Sequence, residues 1–343
     1  MIKVLLFFVS SSFLLLSCAE MVNEQESDDA LQGYKRNDLT YDYLPQVWDE
    51  GIPLGNGHIG ALVWEKEGKL RLSLDNVNLW DLRKMENLER EEWKYRWVVD
   101  RWESNEYQKV QQLFDEPYDR LPAPSKIPGG ALEFSTEGFG KVISSSLSLG
   151  EATCKVEWDS GATLTTFVHA EEPMGWFQFQ GIDANHFKPE LIIPAYNLEG
   201  KSQENNPVTG QDLRRLCYPK GEIIKQQSSI VYTQPGWEDF EYQITVRWEE
   251  TPSGIEGCWS ITTNMTTEAE AVSSAGFSEY SFKKGFQDAF TSHVSWWERY
   301  WSKSSINIPD PVLEKQWYLE QYKFGATARG CPSHILTGRL DSG

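Results

Sequence analysis

Residues 131 to 265 are nearly all strand signal, with runs in which apolar side chains return at every second position, and this period limits the folds open to the chain more than any other feature. Cys154, Val156 and Trp158 alternate with polar residues before an Asp159-Ser160-Gly161 turn. Leu164, Thr166 and Val168 follow, and Trp176 to Gly181 opens the next run. The clearest case is Phe240, Tyr242, Ile244, Val246 and Trp248, five apolar positions separated by single polar residues. A period of two puts all five on one face of a strand. Such strands, recurring about every 10 to 15 residues with Gly and Pro turns between them, imply a large antiparallel β-sandwich with one face of each sheet solvated. The polar, Asn-rich stretch Gly200 to Gly210 reads as a surface loop in it.

A second constraint lies upstream, in WDEGIPLGNGHIGALVWEKEGKLRLSLDNVNLWDLR from Trp48 to Arg83. Gly55-Asn56-Gly57 sets two residues without a Cβ around an Asn that tolerates left-handed dihedrals, which suits a tight reversal. Ile59 to Trp64 is then a nearly continuous apolar run, and Lys66-Glu67-Gly68-Lys69 supplies a turn. Leu70, Leu72 and Leu74 alternate with Arg71, Ser73 and Asp75, so the segment predicts a β-hairpin with one buried face. The order of PLGNGHIGALVW and LRLSLDNVNLWDLR resembles the N-terminal β-domain of glycoside hydrolase family 95, the α-L-fucosidase type. There a P-x-G-N-G-x-x-G-A hairpin leads into a D/N-x-x-L-W segment. The resemblance implies a supersandwich domain and a glycan substrate carrying fucosyl or galactosyl residues. It makes Asn56, His58, Asn78 and Trp80 the residues here best placed to reach that substrate. Their alternative role is to shape the turn and fill the sheet edge.

Helical periodicity appears twice. Glu86 to Glu116 carries Trp93 and Trp97 four apart, then Tyr107, Val110 and Phe114 on one stripe, with Ser104-Asn105 as a cap that splits it into two helices. The Trp pair is expected to pack against the sheet, and Pro117 to Gly130 to form an ordered loop or linker. At about Tyr280 the period changes to 3.6. Phe282, Phe286, Ala289, Phe290, His293, Trp297 and Trp301 mark a long amphipathic helix in which His293 is a core residue. After a break at Asn307-Ile308-Pro309, Asp310-Pro311 opens a further helix through Tyr318, Tyr322 and Phe324. The β-domain thus spans 31–275, a helical linker 276–308 and a last segment 309–343. By the resemblance, that last segment begins an (α/α)6 catalytic barrel. KFGATARGCPSHILTGRLDSG resembles the family's P-x-x-L-Q-G-x-W stretch, departing at Thr337 and Arg339-Leu340. The family's inverting acid and base lie in the barrel, downstream of these residues. No catalytic residue is therefore assigned, and the chain alone is expected to be an inactive fragment lacking its own barrel.

Residues 1–17 read as a signal segment, with Lys3 its only charge and an apolar run too short to span a bilayer. Leu15-Leu16-Ser17-Cys18 has the form of a lipobox, which makes Cys18 a lipidation site and predicts an exported lipoprotein held at a bacterial membrane of the cell envelope. An ordinary secretory signal with an incidental Cys is the alternative. The acidic residues that follow, to residue 30, read as a disordered tether. A net charge of −19 argues against nucleic acid, whose phosphates require Lys and Arg. The 15 Trp, 14 Tyr and 16 Phe are compatible with sugar stacking, although most such rings serve a core. Cys154, Cys217, Cys258 and Cys331 permit three pairings, or isolated buried thiols. Neither they nor the scattered His58, His169, His186, His293 and His334 have metal-ligand spacing, and no cofactor is expected. Two further function classes remain open: a non-catalytic surface glycan-binding lipoprotein, and a structural sandwich without a sugar role.

Overall fold

The alternating segments pair into antiparallel ladders. A computed structural model describes residues 33–85, 90–184, 187–196, 213–264 and 282–329, with 37% strand against 26% helix. The N-terminal part supplies β1 (Leu39–Tyr41), β2 (Ile52–Gly55), β3 (Ile59–Lys66), β4 (Lys69–Asn76) and the short β5 (Trp80–Asp81). Two helices follow, α1 (Tyr95–Glu103) and α2 (Tyr107–Arg120). The middle of the chain is β6 (Ser125–Lys126), β7 (Ala131–Ser135), β8 (Val142–Ser148), β9 (Thr153–Trp158), β10 (Thr163–Val168), β11 (Gly175–Gln180) and β12 (Glu190–Ile192). The last strands are β13 (Glu222–Gln226), β14 (Ser229–Pro235), β15 (Glu241–Thr251) and β16 (Gly254–Thr263). Helices α3 (Phe286–Trp301) and α4 (Pro311–Thr327) complete the described residues.

Nine strands form one sheet in the order β1-β8-β9-β10-β11-β16-β15-β14-β13, five form a second in the order β12-β7-β4-β3-β2, and β5 pairs with β6. The period-2 reading of β15 holds: Tyr242, Ile244, Val246 and Trp248 are buried, with Ile244 opposite Ile261 and Val246 opposite Trp259. Each such side chain contributes about 1.5–3 kcal/mol by leaving water. The sheets face each other across an aromatic layer, where Phe134 of β7 lies 5.1 Å from Phe177 and 5.0 Å from Phe179 of β11. The domain is therefore a mainly β antiparallel sandwich, as the sequence predicts.

Particular elements depart from expectation. The β3–β4 hairpin is buried on both faces, because its second face carries a polar network in place of solvent. Arg71 pairs with Glu133 at 2.9 Å, its guanidinium lies 5.8 Å from the Trp64 ring, and the Trp64 indole donates to Ser73 Oγ at 3.0 Å. Trp93, in a 3-10 turn ahead of α1, and Trp97 of α1 pack on Phe114 of α2, at 4.5 and 6.4 Å, so they join these elements to each other, and α1 buries no residue against the sheet. Helix α2 runs through Pro117 to Arg120, where loop was expected; a proline near a helix end removes one hydrogen bond without stopping the last turn. Helix α3 starts at Phe286, behind Gly285 at φ 84°. Helix α4 begins as read, with Asp310 Oδ1 accepting from the Val312 and Leu313 N–H groups. Both helices bind the sandwich. Trp301 donates to Leu149 O at 2.7 Å, His293 Nε2 bonds Glu151 O at 2.7 Å, and Tyr322 donates to Pro53 O at 2.7 Å. Among the described residues, no helix is long and apolar enough to cross a membrane.

The signal segment, Cys18, the acidic tether, His186, the Gly200–Gly210 loop, Cys331 and His334 lie outside the described residues. Cys154 and Cys258 are buried free thiols, whose pKa values burial pushes up, and Cys217 is an exposed free thiol.

Candidate functional site

The four residues suggested by the hairpin motif lie along one end of the five-stranded sheet, where the β2–β3 turn meets the segment leaving β4. Asn56 is buried, and its amide is fully engaged. Its Oδ1 accepts from the His58 and Ile59 N–H groups at 3.0 Å, and its Nδ2 donates to His169 O at 2.9 Å and Glu172 O at 3.0 Å. With both donors and both lone pairs used, this side chain holds the turn onto the 169–172 loop and has nothing left for a ligand. Gly57, at φ 84°, donates its N–H to Ala326 O at 2.7 Å, so the same turn caps the end of α4. The carbonyl of His58 accepts from Val77 N–H at 2.8 Å, and its ring is half-buried. Asn78 is half-buried too. Its N–H donates to Asn76 Oδ1 at 2.8 Å, and its carbonyl accepts from Trp80 N–H at 3.0 Å.

Trp80 differs from the other three because it opens onto a cleft. It lines a cavity of about 310 Å³ with Asp81, Leu82, Tyr218, Trp237, Glu238, Asp239, Phe240 and Asn264. That volume is at the lower end of small-ligand sites, roughly 300–1,000 Å³. The wall is organised by one buried carboxylate. Asp81 accepts from the Arg83 guanidinium, from Arg83 N–H at 2.9 Å and from the Tyr218 hydroxyl at 2.8 Å. Arg83 also donates to Leu216 O at 2.9 Å, and its guanidinium carbon lies 5.9 Å from the Tyr218 ring and 5.7 Å from the Trp237 ring. Burial, with Asp81 beside it, raises the Tyr218 pKa, so this phenol is neutral and serves as a donor. Aromatic faces beside carboxylate and amide groups can stack on an apolar ring face and accept hydrogen bonds from hydroxyls.

A Ser–His contact elsewhere has the wrong polarity for nucleophilic chemistry. His169 Nδ1 accepts from the Glu171 and Glu172 N–H groups at 3.2 and 2.9 Å, which puts the ring proton on Nε2, facing Ser292 Oγ at 2.9 Å. The serine in turn donates to Ala289 O at 3.1 Å. A general base would have to offer that hydroxyl a lone pair, and here the ring offers a proton. His293 is fully buried, and burial together with nearby His169 lowers its pKa to about 3. Among the described residues, no group of three or more His, Cys, Asp or Glu could hold a metal ion.

The resemblance singled out Trp80 but missed its companions. Tyr218, Trp237 and Asn264 come from segments 138 to 184 residues further along the chain, and only the fold unites them. A local signal did exist in Pro235-Gly236-Trp237-Glu238-Asp239, a turn sequence that leaves a large ring beside two acids. Asp239 is exposed, as a solvated charge would be, and it also lines the cleft. Neither a known protein family nor a curated protein matches this sequence.

Proposed function

We propose that this chain is the β-sandwich part of a lipoprotein glycoside hydrolase acting on fucosyl or galactosyl residues, and that the cleft beside β5 holds a sugar ring. One observation carries the reading. Trp80, from the NVNLWDLR segment on which the family resemblance rests, lines a cleft with Trp237, Tyr218, two exposed carboxylates and an amide. In this reading the cleft binds glycan and performs no chemistry. The inverting acid and base, which must stand ~6.5–9.5 Å apart, belong to a helical barrel of which α4 is the first helix. The hydrogen bond from Gly57 to the end of α4 supports that arrangement, since it ties the motif turn to the first helix of such a barrel. Anchoring at the cell envelope rests on Leu15 to Cys18. A non-catalytic surface glycan-binding lipoprotein would use the same cleft, which is built wholly from the sandwich and its loops.

The test is binding of fucosyl and galactosyl oligosaccharides, followed by tryptophan fluorescence and calorimetry. Trp80→Ala and Trp237→Ala should each weaken binding at least 10-fold, while the chain turns over no aryl α-L-fucoside. Unchanged affinity in both variants would remove the cleft from the reading. Turnover abolished by one carboxylate substitution within residues 31 to 343 would overturn the assignment of catalysis to the helical barrel beyond α4.

A further inference from the structure

We infer that the cleft selects neutral sugars and turns away acidic ones such as uronates, an inference that rests on the sugar-binding reading above. Among the nine described residues that line it, three carry carboxylates and none is Lys or Arg. Asp81 is offset by Arg83, which is not among the lining residues, packs against the Tyr218 and Trp237 rings, and is hydrogen-bonded to Asp81 and Leu216 O. Glu238 and Asp239 are both exposed at the cleft and leave it net negative.

The turn carrying these two carboxylates is held at both ends. Gly236 N–H donates to Phe240 O at 2.7 Å, and Phe240 N–H to Trp237 O at 3.1 Å. The Asn264 amide donates to Asp239 O and accepts from Glu241 N–H at 3.0 Å. Glu238 sits at φ 53°, in the left-handed region where glycine is unstrained and a side chain costs energy. With its backbone fixed by these bonds, the turn presents the exposed Glu238 and Asp239 at the cleft. Ionised carboxylates accept two hydroxyl hydrogens well and donate none. A neutral sugar supplies such hydroxyls. A uronate would bring a third uncompensated charge of the same sign to within a few ångströms, where partial desolvation strengthens the repulsion.

The experiment titrates the full chain at pH 7 with methyl β-galactopyranoside and with methyl β-galactopyranosiduronate, which differ only at C6. The neutral glycoside should bind at least 10-fold more tightly. In the Glu238→Gln/Asp239→Asn variant, which keeps both side chains' size at exposed positions, the two affinities should come within about threefold. A near-ultraviolet circular dichroism spectrum like that of the parent shows the cleft intact. Equal or tighter binding of the acid to the parent chain overturns the inference and leaves the sugar-binding reading standing, as does discrimination unchanged in the variant. If neither glycoside binds at millimolar concentration, the inference falls; the sugar-binding reading falls with it only if the fucosyl and galactosyl oligosaccharides also fail to bind.

Discussion

At the scale of single residues, two glycines of similar backbone geometry occupy unlike surroundings. Gly57 and Gly68 have φ of 84° and 78°, so both avoid the strain a Cβ brings to the left-handed region. A Cβ on Gly68 would meet nothing within 4 Å, whereas one on Gly57 would lie 3.1 Å from Arg329 Cβ and 3.2 Å from its backbone nitrogen. Gly68→Ala should therefore cost only the conformational term, about 1 kcal/mol. Gly57→Val adds overpacking against the end of α4 and should cost about 2–4 kcal/mol. Urea midpoints test this order, and equal midpoints would mean that the contact between turn and helix carries no stability. The Asn56-Gly57 pair was legible in the sequence as a reversal. Its partners outside the turn were not: the nearest along the chain, His169 O, is 113 residues away, and backbone carbonyls leave no mark in a sequence.

At the scale of elements, strands were easier to read than helix packing, for a physical reason. In β15 a period of two fixes both the element and its buried face, and the ladder to β16 follows. In α1 and α2 a stripe of period 3.6 fixes the helix but not what covers it; Trp93 and Trp97 find Phe114, where the sheet was expected. The cleft lay further out of reach, because it joins β5, the turn between β14 and β15 and the residue after β16. Helix α3 gives an element-scale prediction. His293 holds α3 to Glu151 O as a neutral ring, with its pKa lowered to about 3, against ~6.5 in an unfolded chain. Between those values the unfolded state binds the extra proton, so stability is intact above about pH 6.5 and falls as pH drops toward 3. The slope approaches about 1.4 kcal/mol per pH unit from this ring. His293→Gln retains a donor for Glu151 O and cannot take up the proton. Its unfolding free energy should lose that one-proton slope relative to the parent between pH 6 and 4, and parallel curves would show that His293 is not the group responsible.

At the scale of the whole molecule, the charge balance bears on how the protein would be held at an envelope. With 51 Asp and Glu against 32 Lys and Arg, the chain carries −19. Anionic lipid headgroups attract basic segments by about 1 kcal/mol per Lys or Arg near the surface, and a strongly acidic body gains no such term. Under the lipoprotein reading, attachment then depends on the acyl chains at Cys18. Burial of acyl chains is worth about 0.8 kcal/mol per CH₂, a single chain anchors only marginally, and stable anchoring takes more than one. Because the attraction is apolar, it is insensitive to salt screening, and repulsion between acidic body and membrane weakens as salt is added. Two outcomes follow for the protein expressed in a bacterial host that matures lipoproteins. The parent should stay with membranes through a wash in 1 M salt and be released by detergent, and Cys18→Ala should move to the soluble fraction with its fold unchanged. Release of the parent by salt would point to an electrostatic contact in place of a lipid, and an unchanged distribution of the Cys18 variant would show that this residue is not the anchor.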